Sequence, residues 1–276
     1  MQIVQTFITT QMSVHKLKQN LIIAALSLAY AHKSGYKVRM YTDSLGKALL
    51  SKLPYDSINT ELDSIKLPKS SALWSVVKYY ALYKEPLGTI HTDFDVMLKK
   101  PCLEGLLDNA DATCQIFEHV EKCQPYYEQC RTFLISQNMG DLLDLDNPVK
   151  YACNVGIIGY GSEKMREAHA GIIMQVYERL KHIDTPIPTV DFYMEQAHLY
   201  HLSLKGFKVN PIIKDKVFFD ADYTQVCDYA RRVGYCHLQS SRKYSTETME
   251  EMVGILKIDF PDIYSRISDI IAITDI

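Results

Sequence analysis

Pairs of aspartates two residues apart are the feature of this sequence best suited to chemistry. The chain contains three such pairs, at Asp93–Asp95, Asp144–Asp146 and Asp220–Asp222. Twenty aspartates in 276 residues give about one or two such pairs by chance, so the spacing alone identifies no site. Only the first pair is preceded by a predicted helix, 72–84, that carries Trp74, Lys78 and Ala81 on one face, and by a predicted strand, 89–92, that enters through His91. Side chains two apart in an extended chain project to the same side, so both carboxylates could hold one divalent cation.

The predicted elements around this pair alternate between strands and helices. Apolar residues recur at helical spacing from Val14 to Lys33, and Gly35 is typical of the end of such a helix. The predicted strands are 2–9, 37–42, 89–92, 111–118, 153–158, 208–213 and 234–237. The predicted helices are 14–33, 45–53, 72–84, 121–137, 163–182, 190–204, 246–256 and 262–273. This order favours an α/β fold with helices around the sheet.

Composition and charge exclude several classes of protein. Apolar residues make up 47% and charged residues 23%, which excludes disordered and collagen-like chains. The net charge of -3 gives no overall attraction for nucleic acid, and we expect no such partner. The longest nearly apolar run, 21–31, is shorter than the roughly 20 residues of a membrane span, so none is predicted. Seven cysteines without a Cys-x-x-Cys pair favour a reducing cytoplasm.

Several further polar groups lie along the chain, before and after Asp93. Thr6 lies in the first predicted strand, and Lys78 lies on the helix before Asp93. The other groups are Thr42 with Asp43, Asn154 with Gly156, Asp191 with Glu195 and Gln196, and His237 with Lys243. Asp191 and Glu195 are four residues apart and therefore share a helix face. Two like charges on one face are tolerated in solvent and expected beside a cation or a sugar.

Together these motifs resemble the glycosyltransferases of the GT-A fold that carry an Asp-x-Asp motif. The resemblance rests first on Leu73-Trp74 with Lys78, Tyr80 and Ala81, and on His91-Thr92-Asp93-Phe94-Asp95-Val96. Asn154-Val155-Gly156, Glu195-Gln196 and the six-residue spacing from His237 to Lys243 follow in the family's order. The chain is most similar to an uncharacterised bacterial branch related to the retaining glycosyltransferase family 8, as separated motifs from residue 1 to about 245.

The resemblance implies a hexosyltransferase-like enzyme that moves a sugar from a nucleotide-sugar, foremost a UDP-sugar, to a glycan or other acceptor, with retention of configuration. It implies a metal site formed by Asp93, Asp95 and His237, which as a donor set suits Mn²⁺ or Mg²⁺, with Mn²⁺ favoured by the imidazole. The implied catalytic residues are Asp191, Glu195 and Gln196. The implied nucleotide-sugar contacts are Thr6, Thr42, Asp43, Lys78, Asp93, Asn154, Gly156 and Lys243.

The same resemblance implies a single GT-A-like domain over residues 1–276, with a Rossmann-like mixed sheet flanked by helices. Its expected parts are a nucleotide-binding half, 1–100, an acceptor and catalytic half, 101–245, and C-terminal helices, 246–276. We expect those helices to pack on the domain, with peripheral membrane contact as the alternative. Four positions depart from the family: Ser240 replaces glycine, Tyr244-Ser245 replaces Pro-Trp, and Glu195 replaces aspartate.

Two other functions stay open at the level of sequence. Asp93 and Asp95 also resemble the first motif of haloacid-dehalogenase-type phosphatases, with Asp93 as nucleophile and Asp95 as acid. The matching later motifs would be Ser136, Asp141 and Asp144, which lie too close together for the elements that family places between them. The other possibility is a catalytically inactive binder of nucleotide-sugars. Lys78 could also serve only to cover an apolar helix face.

Overall fold

The computed structural model describes residues 1–10, 12–67, 73–183, 190–218, 223–238 and 241–273. Asp220, Asp222 and Ser240 therefore lie outside the described residues. The strands are β1 (Gln2–Phe7), β2 (Lys37–Thr42), β3 (Ser57–Asn59), β4 (Ile90–Thr92), β5 (Val96–Leu98), β6 (Ala112–His119), β7 (Tyr151–Asn154), β8 (Ile157–Tyr160), β9 (Val209–Phe218) and β10 (Tyr235–His237). The helices are α1 (Val14–Lys33), α2 (Ser44–Leu50), α3 (Val76–Lys84), α4 (Gln124–Ser136), α5 (Glu163–Arg166), α6 (Ile172–Leu180), α7 (His198–Leu204), α8 (Tyr223–Val233), α9 (Thr246–Asp259) and α10 (Pro261–Ile273).

Two compact units make up the chain. The first unit comprises residues 1–65, 92–102 and 230–276, and the second comprises 66–91 and 103–229. The chain passes from one unit to the other at four points, after residue 65, within β4, after residue 102 and within α8. That the units act as one catalytic domain, with halves 1–100 and 101–245, stays a prediction.

Parallel strands form the main sheet of the first unit. β1 pairs with β2 along its whole length, from Gln2 opposite Lys37 to Phe7 opposite Thr42, and β3 pairs with the other side of β2. Parallel neighbours need a crossover connection, which α1 supplies. The Ser13 side chain accepts a hydrogen bond from the Lys16 amide at the start of α1, and Gly35 follows its end with φ of 83°.

A short antiparallel ladder of β5 and β10 contacts α1 in the same unit. The Ser27 hydroxyl donates to the Val96 carbonyl at 2.7 Å, and the Ser34 hydroxyl donates to the Leu98 carbonyl at 2.6 Å. The C-terminal helices α9 and α10 also contact α1, and they bury Met252, Leu256 and Ile267. No helix in the described ranges is long and apolar enough to cross a membrane.

A mixed sheet centred on β6 forms the second unit. β6 runs antiparallel to β7 and β8 and parallel to β9. Two helices of this unit contain π-helical turns, at Glu167–Gly171 between α5 and α6 and at Phe192–Ala197 before α7. The predicted α/β class, with a mixed sheet and flanking helices, is confirmed.

Several element predictions differ from the structure. The single strand predicted at 153–158 is two strands, β7 and β8, because the chain leaves the extended ladder at Val155 and Gly156. The predicted strand at 208–213 extends to Phe218 as β9. The short strands β3 and β5 were not expected, since three residues give little periodic signal. Helix α8 was missed, although its sequence carries apolar residues at helical spacing.

Candidate functional site

Asp93, Asp95 and His237 come together in the first unit. A ligand atom of each side chain lies within 4.8 Å of those of the other two. The two aspartates lie on a turn, in which the Val96 amide donates to the Asp93 carbonyl at 3.0 Å, and not on the extended chain that the sequence argument assumed. The β5–β10 ladder supplies the histidine, because it sets His237 opposite Val96. The Leu238 amide also donates to the Asp95 carbonyl at 3.0 Å.

Lys243 contacts the carboxylate of Asp95. Its Nζ lies 2.6 Å from Asp95 Oδ2, and His237 Nε2 lies 3.3 Å from Asp95 Oδ1. Burial by itself would raise the pKa of Asp95, but the neighbouring His237 and Lys243 outweigh it and hold this pKa well below its usual value. Asp95 raises the pKa of Lys243 in turn, against the opposite effect of burial. Asp95 is therefore an anion held between two nitrogen groups.

Contacts with α1 hold the turn that carries Lys243. The Gln19 side chain donates to the Tyr244 carbonyl at 3.1 Å, and the Tyr244 hydroxyl donates to Asn20 Oδ1 at 2.9 Å. On the aspartate side, the Phe94 ring packs edge-on against Phe7 at 5.4 Å. Polar contacts with α1 thus hold the turn that carries Lys243, and the packing of Phe94 on Phe7 holds the turn that carries the two aspartates.

The remaining predicted residues of the first unit lie at the ends of β1 and β2. Thr6 is buried on β1, and Thr42 is fully buried at the end of β2. Asp43 uses both carboxylate oxygens within the protein. Oδ2 accepts hydrogen bonds from the backbone and hydroxyl groups of Thr9 and Thr10, and Oδ1 accepts from the Gly46 amide as the N-cap of α2. Asp43 therefore fixes the chain that follows β1.

Lys78 and Glu195 form a buried ion pair in the second unit. Lys78 Nζ lies 3.2 Å from Glu195 Oε2 and donates to the Val155 carbonyl at 3.1 Å. Each side chain is only 2% exposed. The Tyr79 hydroxyl also donates to Glu195 Oε2, at 3.4 Å. These contacts connect α3 to the π-helical turn that carries Glu195.

Asp191 directly precedes the π-helical turn Phe192–Ala197 and is fully buried. Its Oδ1 accepts hydrogen bonds from the hydroxyl and the amide of Ser75, while Oδ2 is buried without a hydrogen-bond partner among the described residues. Burial, and then the charge of Glu195, raises the pKa of Asp191 well above its usual value. Asp191 therefore contacts the residue that precedes α3, and its catalytic role stays a prediction.

Gln196 and Asn154 are the other predicted residues of this unit. Gln196 is half-buried, and its Oε1 accepts a hydrogen bond from the Tyr127 hydroxyl at 2.8 Å. The Asn154 side chain donates to Glu118 at 3.0 Å and accepts from the Gly156 amide at 3.2 Å. Gly156 itself is buried. The Asn-x-Gly motif is thus a closed turn between β7 and β8.

The sequence did not identify Glu118, Tyr127 or His169 as part of this cluster. His169 lies on the other π-helical turn, and its Nε2 contacts the Glu195 carbonyl at 3.1 Å while Nδ1 contacts the Tyr160 hydroxyl at 2.7 Å. Burial, and then His198, lowers the pKa of His169 well below its usual value, so it stays neutral. All three residues join the cluster through contacts with residues far away in the sequence, and the spacing of residues along the chain does not reveal such contacts.

The residues that would serve a phosphatase are engaged elsewhere in the second unit. Asp141 forms a bidentate pair with Arg179, at 2.9 and 2.7 Å, and Asp144 pairs with Lys205 at 3.1 Å. The Ser136 hydroxyl donates to the Phe133 carbonyl of its own helix, at 2.7 Å. Each group therefore has an ordinary local role.

Comparison with known proteins places these features in a family. Over residues 1–270 the sequence matches a family of unknown function, DUF6734. The chain belongs to the DUF6734 family. No curated protein matches the sequence of this DUF6734 member.

Solved structures give the fold of this DUF6734 chain. It superposes on the galactosyltransferase LgtC, solved in complex with donor and acceptor sugar analogs, with a TM-score of 0.50 and 14% identity, covering 92% of this chain and 95% of that one. The glycosyltransferase GlyE of Streptococcus pneumoniae TIGR4 gives a TM-score of 0.48 at 10% identity, over 97% of this chain and 63% of GlyE. Mouse xyloside xylosyltransferase 1 gives 0.39 at 14% identity, over 76% and 85%. At such identity the likeness to LgtC shows the fold, and the predicted GT-A-type class is confirmed.

Proposed function

We propose that this chain is a metal-dependent glycosyltransferase that moves a sugar from a nucleotide-sugar, foremost a UDP-sugar, to a glycan or other acceptor with retention of configuration. The observation that carries the proposal is the convergence of Asp93, Asp95 and His237 within 4.8 Å, with Lys243 on Asp95. The fold shared with LgtC, whose structure contains donor and acceptor sugar analogs, supports the same class. A relation to glycosyltransferase family 8 is part of the proposal.

The donor set fits a divalent cation. Carboxylate oxygens suit Mg²⁺ and Mn²⁺, and an imidazole among them favours Mn²⁺. Asp95 Oδ1 is buried without a hydrogen bond of normal geometry, with His237 Nε2 the nearby polar group at 3.3 Å. When bound, the cation would neutralise charge on the leaving diphosphate. Lys243 would donate from Nζ to an oxygen of this diphosphate, as a charged hydrogen-bond partner.

The nucleotide would bind at the carboxyl ends of β1 and β2, where open α/β sheets receive their ligands. We assign Thr6 and Thr42 to that region because they lie on these strands. Asp43 acts there indirectly, since its oxygens are occupied by the Thr9–Thr10 backbone and by the start of α2.

The sugar would meet residues of the second unit. Gln196 is the predicted catalytic residue with an accessible side chain, and we assign the sugar contact to it. Lys78 and Glu195 neutralise each other, and with Asp191 they support the turn that carries Gln196. Asn154 and Gly156 supply a closed turn that would limit the space around the sugar.

A panel of nucleotide-sugars incubated with Mn²⁺ tests the proposal, with nucleotide release as the measurement. We expect slow hydrolysis of one donor, abolished by a chelator and by Asp93→Asn. Asp141→Asn is the matched control, because Asp141 pairs with Arg179 at the surface and should keep full activity.

Two results would overturn the proposal. Binding of UDP with Mn²⁺ but no turnover of any donor would identify an inactive binder of nucleotide-sugars. Release of phosphate from p-nitrophenyl phosphate, lost in Asp93→Asn, would identify a phosphatase instead.

A further inference from the structure

Tyr127 is a buried residue of the second unit to which the sequence motifs assign no role. It lies on α4 and is 5% exposed, on the face that also buries Cys130 and Leu134. α4 packs against the π-helical turn Phe192–Ala197. The Tyr127 hydroxyl donates to Gln196 Oε1 at 2.8 Å.

This hydrogen bond determines which end of the Gln196 amide points away from α4. The carbonyl oxygen accepts from Tyr127, so the NH₂ group is directed to the other side. No described residue accepts a hydrogen bond from Gln196 Nε2, and this nitrogen is not among the fully buried, unpaired atoms of the described chain. The side chain therefore presents a directed donor with access to solvent.

The hydroxyl of Tyr127 stays a donor at neutral pH. Burial raises the pKa of Tyr127 well above its usual value, and the charges of Glu118, Cys123 and Glu195 act in the same direction. Glu118 also accepts the hydrogen bond of Asn154. Tyr127 thus hydrogen-bonds one sugar-binding candidate, Gln196, and lies within electrostatic reach of Glu118, the partner of the other candidate, Asn154.

We propose that Tyr127 is a positioning residue for Gln196, which it holds with Nε2 ready to donate to an oxygen of the transferred sugar. This proposal rests on the proposed glycosyltransferase function. An NH₂ donor recognises a hydroxyl or ring oxygen, the groups that a hexose offers. The neighbouring ion pair of Lys78 and Glu195 keeps the π-helical turn in place, so that a single hydrogen bond suffices to orient the amide.

The test is Tyr127→Phe, which removes the hydroxyl and keeps the packed ring. We expect kcat to fall roughly 3- to 10-fold, the worth of one neutral hydrogen bond, with UDP affinity unchanged. Gln196→Ala should lower kcat at least as much. The double variant should lose no more than Gln196→Ala alone, because both changes remove one function.

The matched control is Tyr177→Phe in the same unit. Tyr177 is 3% exposed, and its hydroxyl contacts the backbone of Lys66 at 3.0 and 3.1 Å. A merely structural hydroxyl of this kind should affect stability without changing kcat. Additive losses from Tyr127→Phe and Gln196→Ala, an unchanged kcat, or an equal loss of UDP affinity would overturn the assignment.

A second measurement separates this proposal from the proposed function. In ¹H–¹⁵N spectra the side-chain NH₂ pair of Gln196 is identified by its loss in Gln196→Ala. We expect Tyr127→Phe to shift that pair and Tyr177→Phe to leave it in place. If no donor is turned over, the proposed function fails while the shift still supports the hydrogen bond. An unmoved pair overturns the positioning role whatever the activity.

Discussion

Asp95 combines two tasks, because it belongs to the candidate metal site and also pairs with Lys243. Its side chain is 9% exposed and that of Lys243 is 17% exposed, so neither charge is well solvated. Asp93 is half-buried and belongs to the same ligand cluster. The two aspartates should therefore differ in their effect on stability while sharing their effect on metal binding.

We predict that Asp95→Asn lowers the free energy of unfolding by about 1–3 kcal/mol, since it leaves the Lys243 ammonium without its carboxylate. Asp93→Asn should cost less. Both variants should lose most of the Mn²⁺ affinity of the wild type. Urea unfolding and calorimetric titration measure the two quantities. Equal stability losses would contradict the role given to the pair of Asp95 and Lys243. Mn²⁺ affinity retained in both variants would remove the basis for the metal site.

Lys243 occupies Asp95 Oδ2 at 2.6 Å and so competes with any cation for that oxygen. A ligand that must displace an existing partner binds with reduced apparent affinity. We predict that Lys243→Met tightens Mn²⁺ binding roughly 5-fold or more when nucleotide is absent. The same variant should weaken UDP binding roughly tenfold or more, because a charged hydrogen bond to the diphosphate is lost.

Tighter Mn²⁺ binding together with weaker UDP binding distinguishes competition between Lys243 and the cation from a general disruption of the turn that carries Lys243. Lys16→Met is the control, because Lys16 also contacts the Tyr244 ring, at 5.5 Å, but is exposed. It should change neither affinity. Weaker Mn²⁺ binding in Lys243→Met without nucleotide would mean that Lys243 supports the cluster and does not compete with the cation.

At the scale of elements, the pair of Lys78 and Glu195 connects α3 to the π-helical turn of the second unit. Both charges are buried, so removal of one partner takes the paired opposite charge away from the other. We predict that Lys78→Met lowers the free energy of unfolding by about 3–5 kcal/mol, and that Lys78→Met with Glu195→Gln loses less. Denaturant unfolding of the three proteins measures the difference.

Lys205→Met provides the control for this prediction. Lys205 pairs with Asp144 in the same unit, but its side chain is 56% exposed, so the variant should stay close to wild-type stability. If Lys78→Met keeps its stability and loses only turnover, the ion pair serves catalysis directly, as the sequence resemblance implied for Glu195.

Elements with a strong local signal were predicted well from the sequence. α1 begins and ends where predicted, at Val14 and Lys33, because helical spacing, the Ser13 cap and Gly35 all act locally. The contact of Lys78 with Glu195 spans 117 residues, and the β5–β10 ladder connects segments still further apart. Such pairings depend on tertiary packing, which hydrophobic periodicity does not encode. The site motifs could be found by resemblance, whereas their partners Tyr127 and Glu118 could not.

At the scale of the whole molecule, the candidate groups divide between the two units. The metal ligands and Lys243 belong to the first unit, and Gln196 and Asn154 belong to the second. The first unit is assembled from three separate stretches of chain, so its ligand cluster depends on the fold of distant segments. A ligand stabilises the state in which its site is formed, and it does so most where the contacts lie.

We therefore predict that Mn²⁺ slows amide hydrogen exchange in the first unit, at Val96–Leu98 and Tyr235–His237, since these strands carry the ligand turn and His237. Adding UDP should extend the protection to Ser241–Tyr244, which carries Lys243. Neither Mn²⁺ nor UDP alone should protect α6 of the second unit, because α6 carries none of the residues assigned to the cation or to the diphosphate. Exchange followed by mass spectrometry measures all three segments in one experiment. Asp93→Asn, which lacks a ligand, should show no response to Mn²⁺. Protection confined to the second unit would place the cation elsewhere, and equal protection of both units would show that binding stabilises the chain as a whole and not at the proposed cluster.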